Sequence, residues 1–255
     1  MRALRGTLAL LAVAFWLAVP GVAILYLLYQ PRIWLWPQRR RVYGSAYMKV
    51  MSRGILGLLT LGGARFRRTG HIPTDGPVLV VMNHQSLVDI PTATLMAQPS
   101  VPAFVTRRRY HRFIPSVSPA IRMMDSPIVD PERDPRGAVE VLRRAALAHG
   151  QGLLIFPEGH RSPDGEVGPF RSAGIKAILA SRRMPVYLVV TDGVWKSRRF
   201  VDFVRSVPLI QSETEVIGPF DPPERDDELP AFVRTLRERV IARLHEMRER
   251  RTDAA

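Results

Sequence analysis

Val78-Leu79-Val80-Val81-Met82-Asn83-His84-Gln85-Ser86-Leu87-Val88-Asp89 is the stretch whose reading decides how this chain folds. Its five leading apolar residues, after the turn-like Thr74-Asp75-Gly76, read as a buried strand. The polar run that follows places an imidazole, His84, and a carboxylate, Asp89, five positions apart in the loop where the strand ends. The chain has no cysteine and no serine-elbow pattern. A histidine with an orienting carboxylate is therefore its best means of moving a proton.

Outward from this strand, apolar runs alternate with helical periodicities. That alternation predicts an α/β fold with a central, largely parallel mixed sheet flanked by helices. Further strands are expected at Ala103–Val105, Ile128–Val129, Leu153–Phe156 and Val186–Val190. A helix is expected from about Ser86 to Met96, with Pro91 in its first turns, and another from about Ala173 to Arg183. Asp134-Pro135 is a good N-cap and first-turn proline for a helix carrying Val139, Leu142, Ala146 and Leu147 and stopping at Gly150. The tail from Pro230 to Arg251 reads as an amphipathic helix with Phe232, Val233, Leu236, Val240, Leu244 and Met247 on one face. Arg65 to Gly76, with Gly70 and Pro73, reads as a linker.

The N-terminus is different in kind. No charged side chain occurs from Gly6 to Pro31. As one continuous helix this segment would reach roughly 39 Å, more than the roughly 30 Å of a bilayer's hydrocarbon core. Pro20-Gly21 interrupts its middle, so the alternatives are a tilted span and a bent hairpin dipping into one leaflet. Basic residues flank it on both sides (Arg2 and Arg5; Arg32 and Arg39-Arg40-Arg41), and Trp34 and Trp36 resemble an interfacial belt. A cleaved signal peptide with Gly21-Val22-Ala23 as its site is the competing reading. The apolar run continues through Ile24-Leu25-Tyr26-Leu27-Leu28, which favours an uncleaved anchor. Ser45 to Leu61 has helical spacing at Met48, Met51, Ile55, Leu58 and Leu59, with Gly62-Gly63 as a stop. The expected organisation is a two-helix membrane-anchoring motif at 1–62 and an α/β domain at 63–255.

Composition is consistent with that division. The apolar share of 46% supports a real core, and the absence of cysteine removes disulfides, thiolate metal sites and cysteine nucleophiles. The net charge of +14 rests almost entirely on arginine, since only Lys49, Lys176 and Lys196 are lysines. Nucleic acid, an anionic membrane surface and a phosphorylated or acidic substrate all suit such a charge. No helix-turn-helix, zinc-finger or aromatic-platform pattern accompanies it, and the apolar N-terminus tips the balance to the membrane.

A second polar cluster, Phe156-Pro157-Glu158-Gly159-His160-Arg161-Ser162, again follows an apolar run. Open α/β sheets bind ligands beyond the carboxyl ends of their strands, where both clusters fall. One offers a base, and the other a guanidinium fork on a glycine turn. Together they suit acyl transfer onto a hydroxyl of a phosphorylated acceptor. His71, His111, His149 and His245 have no such neighbours and read as surface or packing residues. No ligand spacing supports a metal site at His84, Asp89 and His160.

Asn83-His84-x-x-x-x-Asp89, followed by Phe156-Pro157-Glu158-Gly159-x-Arg161-Ser162, resembles the glycerolipid acyltransferases of the 1-acylglycerol-3-phosphate acyltransferase type. Phe170-Arg171-Ser172-Ala173-Gly174, Pro185 to Val190 and Ile217-Gly218-Pro219-Phe220 resemble later blocks of the same family. The resemblance covers roughly residues 45 to 245. It implies direct transfer of a fatty acyl group, with no acyl-enzyme, from acyl-CoA or acyl-acyl carrier protein to a lysophospholipid hydroxyl. His84 would be the general base and Asp89 its orienting partner. Glu158, Gly159, Arg161, Ser162 and Arg171 would bind substrate, while Asn83 and Pro157 would shape the turns. It implies no metal and no cofactor beyond the acyl co-substrate. The expected partners are the lipid bilayer, the lysophospholipid and the acyl donor, and no nucleic acid. The expected place is the inner (cytoplasmic) membrane, with the catalytic domain facing the cytoplasm.

The pattern departs from the family at named positions. Ser126-Pro127-Ile128-Val129-Asp130-Pro131 has Pro131 where the family carries an arginine, which leaves Arg122 and Arg133 as candidates for that charge. His160 stands at a usual threonine, and Leu188 at a usual proline. The catalytic block is intact while the acceptor-side blocks are altered. Acceptors other than lysophosphatidate therefore stay open: another lysophospholipid, an ornithine-type lysolipid or a glycolipid intermediate. A non-catalytic, membrane-anchored lipid-binding protein is the alternative from another class.

Overall fold

The structure, a computed structural model, describes residues 2–197 and 202–253; the side chain of Arg2 lies outside the described residues. The apolar N-terminus folds as α1 (Arg2–Ala18), α2 (Pro20–Ile24), a π-helical turn at Leu25–Tyr29 and α3 (Gln30–Leu35). Helical hydrogen bonds run straight past Pro20, from Val19 N to Phe15 O and from Ala23 N to Val19 O, both 2.9 Å. Pro20-Gly21 is therefore no hairpin turn. The chain reverses at Trp36 to Arg39 instead, and α4 (Arg40–Leu61) returns, starting five residues earlier than its apolar spacing suggests. It closes as expected at the two glycines. Gly63 takes φ +106°, Ala64 N donates to Leu59 O at 3.0 Å, and Gly63 N donates to Thr60 O at 2.9 Å.

Ala3–Leu35 is the one stretch among the described residues long and apolar enough to cross a membrane. Its residues divide by face. Ala9 and Val13 pack with Phe203 and Val207, and Leu25 packs with Tyr47, Ala120 and Met123. Gly6 lies so close to the chain that an added Cβ would sit 2.1 Å from Val204 O. Leu4, Leu8, Leu11 and Phe15 all point outward and are exposed. The basic cluster is partly used inside the protein, since Arg40 and Arg41 both pair with Asp125 and Arg41 also donates to Ala148 O.

Beyond α4 the order is β1 (Arg65–Thr69), β2 (Ile72–Pro73), β3 (Leu79–Met82), α5 (Asp89–Met96), β4 (Ala97–Gln98), β5 (Ala103–Phe104), β6 (Thr106–Arg107), α6 (Val117–Met123), β7 (Ile128–Val129), α7 (Pro135–Ala148) and β8 (Leu153–Ile155). It ends with α8 (Ser172–Ser181), β9 (Val186–Asp192), α9 (Phe203–Ser206), β10 (Gln211–Phe220) and α10 (Leu229–Asp253). The main sheet has strand order β1-β10-β9-β3-β8-β5. All its pairings are parallel except β10 against β9, which makes it the largely parallel mixed sheet expected from the alternation. Two short pairs, β2 with β4 and β6 with β7, stand beside it.

Side-chain alternation along β3 builds both cores. Leu79 and Val81 join Leu142, Ile175, Val186, Leu236 and Val240 on the face covered by α7, α8 and α10. Val80 and Met82 join Ile72, Ala93, Met96 and Leu154 on the face covered by α5. The apolar face of α10 is buried as predicted, with Phe232 at its margin.

Three expectations fail for physical reasons. The supposed linker Arg65–Gly76 contains β1, an arginine-rich edge strand without apolar alternation that is held by backbone pairing to Gln211–Glu215. On α7 the buried face is Ala138, Leu142, Ala145 and Ala146, so Leu147 faces water. Asp134 caps that helix as expected, its Oδ1 accepting from Gly137 N at 2.8 Å, but the turn that ends it does not depend on Gly150. Gly152 holds the left-handed conformation, φ +88°, where a Cβ would lie 1.8 Å from Val78 O. Gly152→Ala should therefore strain the entry to β8 and cost about 1–3 kcal/mol or more. Gly150, with open space around it, should accept alanine with little change; denaturant midpoints of the two variants check the contrast.

Candidate active site

Parallel register brings the two polar clusters together. Val81 pairs with Ile155 across β3 and β8, so His84 and Glu158, each three residues further on, meet at the same sheet edge. Leu154 likewise pairs with Phe104 of β5, which carries Arg107 to that edge as well. His84 Nδ1 lies 2.8 Å from Asp89 Oδ2, and the imidazole stacks on the Phe156 ring at 4.0 Å between centroids. Its side chain keeps 15% exposure, while the Asp89 side chain has none. Nδ1 is committed to Asp89, which leaves Nε2 as the nitrogen able to act on a bound molecule.

Asp89 opens α5 and folds back on its own loop. Its Oδ2 also accepts from Gln85 N at 2.7 Å and Ser86 N at 2.8 Å, so one oxygen fixes the turn and the imidazole together. Its Oδ1 is buried without a hydrogen-bond partner among the described residues. Asn83 clamps the strand end to β9, donating from Nδ2 to Thr191 O at 2.9 Å and accepting from Thr191 N at 2.8 Å.

The residues expected to bind substrate fall into two groups. Glu158 is buried, and both of its oxygens are taken by backbone donors, Oε1 by His84 N and Oε2 by Gly168 N, each at 2.9 Å. Burial pushes its carboxyl above the usual carboxylate range, against the pull of those two N–H groups. Ser162 is also buried. Its N–H donates to His84 O at 2.6 Å, and its hydroxyl joins Asp164 to Gly165 N. Pro157 O accepts from Arg171 N at 2.8 Å. Glu158, Ser162, Pro157 and Asn83 thus build the walls that hold His84.

The second group faces outward. Gly159 takes φ +73°, and a Cβ there would meet Arg171 Nε at 3.1 Å, so the glycine lets that guanidinium lie against the turn. Arg107 Nη2 donates to Gly159 O at 2.5 Å and Arg107 Nη1 to Glu132 at 2.8 Å. Arg107 holds the exposed Glu132 carboxyl below its usual range, helped by Arg171 and Arg109. Arg161, half-buried, sits on the same turn. Arg122, a candidate for the charge missing at Pro131, donates instead to His111 O, while Arg107 joins Arg171 at the Gly159 turn.

Sequence reasoning also passed over Gln85, the residue that ties this loop to the far end of the chain. Its Nε2 donates to Gly165 O at 3.1 Å and to Asp192 Oδ1 at 3.2 Å, while its Oε1 accepts from Val194 N at 3.2 Å. Arg248 Nη2 on α10 donates to the same two acceptors, at 2.9 and 3.3 Å. Arg251 Nη1 reaches the other oxygen of buried Asp192 at 3.1 Å, and Arg237 holds Val167 O and Gly168 O. Arg107 had a readable signal, a cation just past a predicted strand. Gln85 had only its place inside the motif, and Arg248 had none.

No group of three or more His, Asp or Glu side chains able to hold a metal occurs among the described residues. What the edge offers is an oriented imidazole stacked on Phe156, with Arg107 and Arg171 against the Gly159 turn of the neighbouring loop.

Comparison with known proteins bears on the family and the fold. A family model described as Acyltransferase matches residues 64–191, which hold both clusters. The chain is similar to the chloroplastic 1-acyl-sn-glycerol-3-phosphate acyltransferase BAT2 of Brassica napus, 35% identical over 126 residues, 48% of this chain and 35% of that one. It is also similar to the chloroplastic 1-acyl-sn-glycerol-3-phosphate acyltransferase LPAT1 of Arabidopsis thaliana, 33% identical over 126 residues, 48% of this chain and 34% of that one. A 1-acyl-sn-glycerol-3-phosphate acyltransferase of Cocos nucifera is 26% identical over 201 residues, 75% of this chain and 59% of that one. The chain spans about a third of the length of the two chloroplast relatives it matches. Among solved structures, the 1-acyl-sn-glycerophosphate (LPA) acyltransferase PlsC of Thermotoga maritima shares the fold, with a TM-score of 0.71 at 24% identity over 97% of this chain and 98% of that one. On the family match and the motifs it contains, the chain belongs to the acyltransferase family.

Proposed function

We propose that this protein is a membrane-associated acyltransferase that moves a fatty acyl group from acyl-CoA or acyl-acyl carrier protein to the hydroxyl of 1-acylglycerol-3-phosphate, giving phosphatidic acid. The observation that carries the reading is the His84–Asp89 pair, oriented at 2.8 Å on the sheet edge where Arg107 and Arg171 lie against the Gly159 turn. The names of the plant relatives support the acceptor.

In this mechanism Nδ1–H donates to Asp89, so Nε2 carries the lone pair. Nε2 takes the proton of the acceptor hydroxyl as its oxygen attacks the thioester carbonyl carbon. The C–S bond then breaks, and the imidazolium returns the proton to the departing thiolate sulfur. Asp89, whose Oδ2 lies 2.8 Å from Nδ1, is placed to stabilise the imidazolium while it lasts. The arginines hold the acceptor phosphate as planar forks, and Gly159 makes room for one of them. Glu158 acts by holding the His84 loop to the second motif.

The altered positions Pro131 and His160 favour a second reading, the same chemistry on another lysolipid. For the membrane we propose the inner membrane, with the catalytic domain on its cytoplasmic side. The exposed stripe Leu4, Leu8, Leu11 and Phe15, on a helix whose opposite face packs on the protein, supports lying in one leaflet rather than crossing both.

The test is thiol release from acyl-CoA with a panel of lysolipids. His84→Ala should cut turnover by about 1,000-fold or more, and Asp89→Asn by about 10,000-fold if it acts as a triad aspartate does. Undiminished turnover in His84→Ala would sink the mechanism, and no turnover with any acceptor would favour a non-catalytic lipid binder. Glu158→Gln turns an amide NH2 toward a backbone N–H. It should cost about 1–3 kcal/mol of stability, read by thermal melting, together with a fall in kcat.

A further inference from the structure

Between the catalytic edge and the N-terminal helices runs a loop that neither the catalytic chemistry nor the core explains. From Thr106 to Met124 the chain has five arginines, one histidine and no carboxylate. Arg108, Arg109 and Arg112 are exposed, and Phe113 between them is 96% exposed, more than any other large apolar side chain among the described residues. Phe113 also has φ +68°, and Ser116 has φ +62°. An aromatic residue in the left-handed region is strained, and one held fully in water recovers nothing from burial. In aqueous surroundings Phe113 has both disadvantages at once.

The loop is nonetheless built rather than loose. Ser118 Oγ donates to Tyr110 O at 2.9 Å and accepts from Ile114 N at 3.0 Å, and Arg122 donates to His111 O at 3.0 Å. Its base is mounted on the apolar helix, where Ser116 Oγ donates to Leu17 O at 2.5 Å and closes on Gly21. Its other end is the catalytic edge, because β6 leads into it through Arg107, and Arg109 acts on the same Glu132 as Arg107 and Arg171.

We infer that the Arg108–Phe113 loop is a second membrane contact, separate from the N-terminal helices, in which Phe113 enters an anionic bilayer and Arg108, Arg109 and Arg112 engage its phosphates. A hydrocarbon medium removes the exposure penalty of Phe113, and the negative surface potential of an anionic leaflet attracts the three cations. The contact would set the catalytic edge against the surface in which a lysolipid resides. It rests on the membrane reading above but needs no catalytic activity.

The cysteine-free chain makes the test direct. Full-length protein carrying Phe113→Cys, labelled with an environment-sensitive fluorophore, is bound to vesicles of about three parts phosphatidylcholine to one part phosphatidylglycerol. Leu147→Cys, exposed on α7, is the control. The expected result is a blue-shifted, several-fold brighter signal at position 113, quenched by nitroxide-bearing lipids, with position 147 unchanged. Replacing Arg108, Arg109 and Arg112 with serine should lower that quenching several-fold. A chain that floats with the vesicles while the 113 probe stays in water overturns the loop contact and leaves the membrane reading standing; a chain that fails to float overturns both. A nitroxide at the same cysteine, read by oxygen accessibility, repeats the measurement if the fluorophore perturbs the loop.

Discussion

The Glu158 carboxylate is the interaction on which the working edge depends. It stands at the end of one buried parallel strand and accepts the backbone N–H of His84 at the end of the next. With its second oxygen on Gly168 N it joins the β3–α5 loop to both arms of the β8–α8 loop around a single buried group. A carboxylate in such surroundings is held at a cost, since burial raises its pKa and disfavours the ionised form. What the cost secures is position. His84 is fixed through its main chain by Glu158, through its carbonyl by Ser162, and through its ring by Asp89 and Phe156. Strands that end level with one another make this possible, because each delivers its polar group at the same offset from the last ladder pair.

The same economy appears on the far side of the motif. Gln85 and Arg248 share two acceptors, Gly165 O and Asp192 Oδ1, so the residue next to the proposed base belongs to a network that reaches α10. Arg243 and Arg250 meet Glu215 in a second cluster on that helix. Several arginines thus act inside the fold, compensating carboxylates along β9 and β10.

Much of this was legible in the chain because buried parallel strands announce themselves. Val78 to Met82 and Leu153 to Ile155 are apolar runs with a polar break, and the break marks the site. The apolar face of α10, the cap at Asp134 and the double-glycine stop at Gly62-Gly63 were equally readable, each resting on local chemistry. What escaped was held by partners distant in sequence. β1 is a row of arginines whose only claim to be a strand is the backbone of β10. Glu158 and Ser162 look like ligand-binding residues in a motif, and only register shows their polar atoms turned inward. Pro20 reads as a break, yet the helix passes it because neighbouring carbonyls and amides keep their partners.

The buried Asp192 carries one more implication. Its counter-charges, Arg248 and Arg251, lie within the last turns of α10, some 160 residues after the His84 loop that shares the network. During synthesis the strands of the sheet can pair long before those arginines exist. The loop bearing the imidazole therefore acquires its full set of polar partners only when the end of α10 has emerged and docked. The His84 loop is thus completed by a helix that is made after every strand of the sheet that carries it.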